Sequence, residues 1–125
     1  MKQLNYQKVQ SKLRNKFLRS GVKLIGPDTI YFSNDTKIGK NVTIEPFVVF
    51  GSKVKIGNNV NIKSFSHLEN CKIENKVEVG PYARIRPGSI LKDSSKVGNF
   101  VEIKKSTIGK SSKVNHLSYI GDSKI

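Results

Sequence analysis

The stretch TKIGKNVTIEPFVVFGSKVKIGNNV, residues 36–60, places a large apolar residue at every sixth position. One series runs through Ile38, Ile44, Phe50 and Ile56, and valines form a second series offset from it by four residues. A helix would repeat apolar residues every 3.6 positions and a half-buried strand every second position, so neither explains this period. The pattern predicts hexapeptide repeats, in which three strand-and-turn units close one triangular coil of a parallel β-helix.

The six-residue period continues to the end of the sequence with two slips of one residue. It shortens between Leu68 and Ile73 and again between Ile103 and Ile108. Glycine often follows the aliphatic residue, where it lets the backbone turn a corner. We expect about five coils between residues 36 and 125, with inward side chains stacking at the usual strand spacing of ~4.8 Å.

The first residues follow a different pattern. Tyr6, Val9, Leu13 and Phe17 recur at three-to-four spacing, and Gly21 ends the series. We therefore divide the chain into an N-terminal helix (1–22) and a β-helix (23–125). The basic amphipathic helix is expected to pack on the rest of the protein or on a partner chain rather than on a membrane. The β-helix has no evident cap at its C-terminal end, so we expect another chain or further sequence to cover it.

The composition sets limits on function. The chain has 125 residues with 23 Lys and Arg against 9 Asp and Glu, which gives a formal net charge of +14. Because the charge is spread along the chain without a dense basic tract, it does not predict a specific nucleic-acid site. That alternative would require strongly salt-dependent binding to DNA. Cys71 is the single cysteine and is expected in the core. No signal peptide or membrane span is evident, so a cytoplasmic protein is expected.

Stacking predicts which side chains meet on the surface. Ile85 and Ile103 are eighteen residues apart, and after the second slip Ile120 lies above them. Because side chains alternate along a strand, the neighbours of these three isoleucines point outward. Arg84 and Arg86 then share one face with residues 102, 104, 119 and 121 from the next two coils.

This face carries a candidate anion site. Arg86 lies beneath Lys104, and together they could hold a phosphate through a planar fork and a compact ammonium. Tyr119 joins them, and His116 falls at the adjoining corner, where its imidazole could act as a general base. The alternative is that Glu102 neutralises a merely solvated patch. The other histidine, His67, is expected to be an exposed turn residue.

Three stretches make the sequence similar to a known family. GPYARIRPGS (80–89), VGNFVEIKKSTIGKSSKVNHLSYIGDSKI (97–125) and, more weakly, LRNKFLRSGVKLIGPDTIYF (13–32) resemble the acetyltransferase domain of the bacterial bifunctional N-acetylglucosamine-1-phosphate uridyltransferase/glucosamine-1-phosphate N-acetyltransferases. The resemblance implies a left-handed parallel β-helix that assembles as a homotrimer. It also implies acetyl transfer from acetyl-CoA, as co-substrate, to glucosamine-1-phosphate, a step toward UDP-N-acetylglucosamine for cell-wall precursors, with no metal in the acetyltransferase part.

The resemblance also implies roles for the residues of the candidate site. His116 would be the general base, Arg86 and Lys104 would bind phosphate, and Tyr119 would contact the sugar phosphate. Glu102 would orient or polarise the base. The chain lacks the family's uridyltransferase domain and the later coils that bind CoA, so we expect it to hold only the acceptor half of the site. A non-catalytic trimeric module that binds phosphosugar is the alternative. A zinc-dependent β-helix carbonic anhydrase would need three histidines, and the chain has two.

Overall fold

The computed structural model describes the backbone of residues 2–125 and the side chains of residues 5–125. The chain forms one α-helix, a single turn of 3-10 helix (Pro27–Thr29) and sixteen short strands. The helix α1 spans Lys2–Arg19. The strands are β1 (Lys23–Leu24), β2 (Lys37–Ile38), β3 (Thr43–Ile44), β4 (Val49–Phe50), β5 (Val54–Ile56), β6 (Asn61–Ile62), β7 (His67–Leu68), β8 (Cys71–Ile73), β9 (Glu78–Val79), β10 (Ala83–Ile85), β11 (Ser89–Leu91), β12 (Lys96–Val97), β13 (Val101–Lys104), β14 (Thr107–Ile108), β15 (Lys113–Val114) and β16 (Ser118–Gly121).

β1 pairs in parallel with β3, and from β2 onward each strand pairs in parallel with the third strand after it, so the strands form three flat sheets around a triangular prism. Sheet A contains β1, β3, β6, β9, β12 and β15; sheet B contains β4, β7, β10, β13 and β16; sheet C contains β2, β5, β8, β11 and β14. This confirms the parallel β-helix predicted from the repeats, of the left-handed kind that the resemblance implies. The solenoid has about six turns, because β1 adds a first coil below the five expected from residue 36 onward.

The inward positions form one continuous aliphatic core. Ile85 pairs in register with Ile103, and Ile103 with Ile120, as predicted from the eighteen-residue coil and its second one-residue slip. Almost every member of the six-residue series is buried, and Ile38 and Ile120 are partly buried. Burying one such side chain contributes roughly 1.5–3 kcal/mol to folding, so the stacked coils hold one another together.

Both slips fall at the corner between sheets B and C. The turn residues there, Asn70 and Lys105, have positive φ angles of 42° and 46°. After each shortened turn the register resumes, with Val54 opposite Cys71 and Ile90 opposite Thr107. A tighter turn therefore absorbs the missing residue and leaves the core unchanged.

Helix α1 packs on the first coil, but with a different face from the one expected. Leu13 and Phe17 are buried as predicted, whereas Tyr6 and Val9 are exposed, so that part of the prediction was wrong. Two polar residues of the helix, Gln10 and Arg14, are buried instead. The Gln10 amide donates to the Phe32 carbonyl at 2.8 Å and accepts from the Phe32 N–H at 2.9 Å.

The reason for this polar face lies in the first coil. Its backbone has no coil beneath it to pair with, and buried N–H and C=O groups need partners. Arg14 meets the same need, because its Nε donates to the Ile30 carbonyl at 2.9 Å. Within the described residues, no helix combines the length and the apolar character needed to cross a bilayer.

Candidate functional site

One outward column of sheet B carries most of the predicted site. Arg84 in β10 pairs in register with Glu102 in β13, and Glu102 pairs with Tyr119 in β16. Each strand of this sheet buries its alternate residues in the core, so these three side chains must face outward. The column of side chains expected from the repeats is therefore present.

Arg86 and Lys104 stand beside this column, one coil apart. The Arg86 N–H donates to the Ile103 carbonyl at 2.7 Å, which fixes Arg86 directly below Lys104 at the end of β13. The Arg86 Nη1 donates to Glu102 Oε2 at 2.9 Å, and about a third of each side chain is exposed. The structure thus pairs Glu102 with Arg86, which is the contact expected if Glu102 neutralises the basic patch.

His116 lies at the corner between sheets A and B, immediately before β16. The Leu117 N–H donates to the Asn99 carbonyl at 3.2 Å, so this corner stacks on the Asn99 corner as expected. The His116 side chain is exposed, and its backbone carbonyl accepts a bond from Ser118 Oγ at 3.5 Å. His116 therefore stands at the edge of the face that carries Tyr119.

His67 is exposed as expected but lies in a strand. It belongs to β7, where it pairs with Val49 on one side and Arg84 on the other. The prediction of a turn residue was wrong because the six-residue period places His67 in the same outward column as Arg84.

A cleft with a volume of about 410 Å³ opens between this column and the neighbouring corner. Besides Glu102 and Tyr119, the cleft is lined by residues that were not among the predicted site residues: Tyr82, Arg84, Phe100, Val101, Leu117 and Ser118. Tyr82, Phe100 and Leu117 follow one another at spacings of eighteen and seventeen residues. That spacing is the signal that could have placed them beside the site.

Cys71 is not available for chemistry in this structure. Its thiol faces the core, where burial raises its pKa from 9.0 to about 12, partly offset by a backbone hydrogen bond at Glu69. A thiol with so high a pKa is a poor nucleophile and metal ligand. Among the side chains of residues 5–125, no group of three or more His, Cys, Asp and Glu is placed to hold a metal ion.

Comparison with known proteins agrees with the repeat pattern. Residues 35–70 match the family model described as bacterial transferase hexapeptide (six repeats). The chain is 53% identical over 116 residues to the bifunctional protein GlmU of Zymomonas mobilis, which covers 93% of the chain and 26% of that protein. It is 49% identical over 117 residues to the bifunctional protein GlmU of Paramagnetospirillum magneticum, covering 94% of the chain and 26% of the relative. The chain thus spans about a quarter of the length of these relatives.

Two solved structures share the fold. A hexapeptide-repeat containing acetyltransferase from Vibrio cholerae superposes with a TM-score of 0.58 at 17% identity, covering 82% of this chain and 66% of that one. A GDP-perosamine N-acetyl transferase from Caulobacter crescentus, solved with CoA and GDP-perosamine, gives a TM-score of 0.50 at 20% identity, covering 86% of this chain and 58% of that one. At these identities the likeness establishes the fold alone.

Proposed function

Because the chain matches the bifunctional GlmU proteins over more than nine tenths of its length, we propose that it is an acyltransferase component acting in UDP-N-acetylglucosamine formation. The proposed reaction moves an acetyl group from acetyl-CoA to the amine of glucosamine-1-phosphate. This chain supplies the part of the site that binds the acceptor. The observation that carries the proposal is the register that stacks Arg84, Glu102 and Tyr119 beside Arg86 and Lys104.

The phosphate of the acceptor would bind Arg86 and Lys104. The guanidinium has five N–H donors, and the bond to Glu102 uses only Nη1. Arg86 can therefore stay paired with Glu102 while it donates to a phosphate oxygen, and Lys104 adds a second positive charge one coil above. Tyr119 contributes a hydroxyl and a ring edge on the same face for the sugar.

His116 would act as the general base. As the acceptor nitrogen attacks the thioester carbonyl, the imidazole takes a proton from the amine. The tetrahedral adduct then breaks its carbon–sulfur bond, CoA leaves as a thiolate, and the proton returns to the sulfur. The proposed role of Glu102 in orienting His116 stays a prediction, since the partner that Glu102 contacts here is Arg86.

A second candidate function is a non-catalytic module that binds the phosphorylated amino sugar without acetyl transfer. It is favoured by the ion pair on sheet B, because Glu102, the residue expected to orient His116, contacts Arg86 at 2.9 Å instead. Both candidates share the acceptor site, and for both we propose an assembly of three copies. They differ in turnover, which makes them separable by experiment.

The deciding assay is release of free CoA thiol from acetyl-CoA with glucosamine-1-phosphate as acceptor. We expect turnover in the unmodified chain and its loss in His116→Ala. His67→Ala is the matched control, because His67 is also exposed on sheet B but lies three coils below Tyr119 in the same column. Equal loss in both variants, or turnover that survives His116→Ala, would contradict the role of His116. No turnover in a folded chain that binds the acceptor would favour the non-catalytic module.

Acceptor binding is tested separately by calorimetry with glucosamine-1-phosphate. A hydrogen bond to a charged group contributes about 1.5–3 kcal/mol, so Arg86→Ala and Lys104→Ala should each weaken binding by about tenfold or more. Lys40→Ala removes an exposed charge near the other end of the solenoid and should leave the affinity unchanged. If all three variants behave alike, the charge acts through the overall field and the phosphate site is refuted.

A further inference from the structure

Folding concentrates positive charge on sheet C. We define the sheet C face as the strands of this sheet with their flanking turns: residues 35–40, 53–58, 70–75, 88–93, 105–110 and 122–125. It contains nine basic and four acidic residues: Lys37, Lys40, Lys53, Lys55, Lys72, Lys92, Lys105, Lys110 and Lys124 against Asp35, Glu74, Asp93 and Asp122. Sheet B, which carries the candidate site, has three basic and two acidic residues in its corresponding segments: 47–52, 65–69, 82–87, 100–104 and 117–121. A charge that is spread evenly along the sequence therefore becomes one basic face in the fold.

Three of these lysines lie directly above one another. Lys37 pairs in register with Lys55, and Lys55 pairs in register with Lys72. All three side chains are exposed, and neighbouring strands are ~4.8 Å apart. Like charges in register on adjacent strands repel each other and lower the stability of a sheet. Folding does not require this column of lysines, and an anion bound to it would relieve the repulsion.

The acidic residues of the sheet C face do not neutralise its lysines. The Asp35 carboxylate accepts hydrogen bonds from the Lys53 backbone N–H at 3.1 Å, and the Asp93 carboxylate accepts one from the Asn75 N–H at 2.9 Å. Both carboxylates thus hold the turn of a neighbouring coil. Among the side chains of residues 5–125, every ion pair lies on sheet A or sheet B. The lysines of the sheet C face are therefore available to an external anion.

The residue types on this face indicate a diffuse negative surface as the partner. All nine basic residues are Lys, and none is Arg, whose planar guanidinium suits bidentate binding of a single phosphate. The face also has no Phe, Tyr, Trp or His, so it offers no ring on which an unpaired base could stack. Both observations argue against a nucleic-acid site and favour contact with many weakly held anionic groups.

The shape of the face suits a planar partner. Five parallel strands form one flat sheet, which extends about 19 Å along the solenoid axis at the usual strand spacing. Lys53 and Lys105 lie at the corner with sheet B, and Lys40 and Lys110 lie at the corner with sheet A, so the charges spread in two dimensions around the central column. A plane meets all of them together, whereas the curved surface of a duplex meets only a strip. The headgroup layer of an anionic bilayer is such a plane.

We propose that the sheet C face binds the surface of a bilayer that contains anionic phospholipids. The lysine ammonium groups pair with headgroup phosphates, and the chain stays outside the hydrocarbon region. The cleft at the corner between sheets A and B lies opposite sheet C in the triangular prism, so it stays open to solvent on the bound chain. The face contains none of the residues assigned to acceptor binding or proton transfer. The inference therefore goes beyond the proposed function and does not depend on it.

The test is binding of the full chain to vesicles, measured by sedimentation at about 0.1 M salt. One set of vesicles contains equal parts of phosphatidylglycerol and phosphatidylcholine, and the other contains phosphatidylcholine alone. We expect binding to the first set only. The binding should be lost at about 1 M salt, where the screening length falls to ~3 Å. Equal binding to both sets, or no binding to either, overturns the proposal.

A triple variant assigns the binding to the central column. Lys37→Gln, Lys55→Gln and Lys72→Gln combined should lower the affinity for phosphatidylglycerol vesicles about 100-fold, because each lysine at an anionic surface contributes roughly fivefold. The three side chains are exposed and make no ion pair among the described residues, so the variant should keep its fold, which circular dichroism checks. Undiminished binding of the folded variant would contradict the proposal.

The matched control removes the same number of charges from another face. Lys23→Gln, Lys96→Gln and Lys113→Gln combined neutralise three exposed lysines on the outside of sheet A. The two triple variants have equal net charge, and we expect the sheet A variant to lose less than about threefold in affinity because its lysines do not face the bilayer. Equal losses in the two variants would show that net charge drives the binding, and the assignment to the sheet C face would fail.

A fluorescent probe reports which face meets the bilayer. Cys71 is the only cysteine and is buried, so the probe can be attached at Ile90→Cys on the outside of sheet C or at Asn61→Cys on the outside of sheet A. On phosphatidylglycerol vesicles, the probe at position 90 should be shielded from acrylamide and the probe at position 61 should not. Equal shielding at both positions, or none at position 90, overturns the proposal.

Two outcomes separate this inference from the alternatives. A chain that binds duplex DNA through the central column and does not bind the vesicles would assign the sheet C face to nucleic acid and overturn the proposal. The vesicle measurements need neither acceptor nor acetyl-CoA. A chain that binds vesicles without acetyl transfer therefore contradicts only the enzymatic function, and an active chain that does not bind vesicles contradicts only this inference.

Discussion

The Glu102 carboxylate neutralises part of the Arg86 charge even while Arg86 also contacts phosphate, so neutralising Glu102 is expected to raise the affinity for glucosamine-1-phosphate. The two charged atoms lie 2.9 Å apart and both side chains are about a third exposed. At that distance the attraction in water is ~1.4 kcal/mol before screening, and exposed pairs contribute about 0.2–1 kcal/mol when measured. Glu102→Gln also removes a carboxylate that repels the phosphate. We expect about two- to fivefold tighter binding, the equivalent of 0.5–1 kcal/mol.

The assay is calorimetric titration of the folded variant with glucosamine-1-phosphate. Glu78→Gln is a closely matched control. The Glu78 carboxylate pairs with Lys96 at 3.1 Å, and its side chain is 34% exposed against 35% for Glu102, but it lies on sheet A. Unchanged or weaker binding in Glu102→Gln, or the same gain in Glu78→Gln, would refute the reasoning. If Glu102 also orients His116, turnover should fall while affinity rises.

Three further changes test the fold and its buried groups. Ile85→Asp should unfold the chain because it buries an unpaired charge, whereas Ile90→Asp, on the outside of sheet C, should leave the chain folded. Circular dichroism distinguishes the two variants, and a folded Ile85→Asp protein would refute the inward assignment of Ile85. Gln10→Ala should lower the free energy of unfolding in urea by about 1–3 kcal/mol because it leaves two buried backbone groups unpaired, while the exposed Gln7→Ala should change it little. The thiol of Cys71 ionises near pH 9 when unfolded and near 12 when folded, so its protonated form favours the folded state and that contribution is lost as pH rises from 9 toward 12. Any stability advantage of the wild type over Cys71→Ala should shrink over that range, and a constant difference would contradict the pKa shift.

Much of the β-helix could be predicted because its core repeats in sequence. A six-residue period fixes which side chains point inward, and the coil length then fixes which of them stack, as with Ile85, Ile103 and Ile120. The face of helix α1 could not be read in the same way. Its buried Gln10 and Arg14 side chains form hydrogen bonds with the otherwise unpaired backbone of the first coil. Those backbone groups become evident only when the coil itself is known.

The candidate site was predictable as a column and not as a set of contacts. The repeats brought Arg86, Glu102 and Lys104 to one face, but they carry no information on which charges pair across it. The bond from Arg86 to Glu102 depends on rotamers and on the position of the next coil. Tyr82, Phe100 and Leu117, which line the cleft, were missed for a different reason: they are outward turn residues, and a search for core periodicity passes over them.

Helix α1 and the first coil have a consequence for how the chain folds as it leaves the ribosome. Each strand pairs only with strands one coil away, and α1 already meets Phe32 and Ile30. The nascent chain can therefore form this first coil with α1 as soon as Phe32 has been translated, and then add one coil at a time onto the exposed strand edge. In a solenoid built in this order, each newly translated strand pairs with a strand that is already in place. Most folds with so many parallel strands differ, because some of their strands pair with partners that are translated much later.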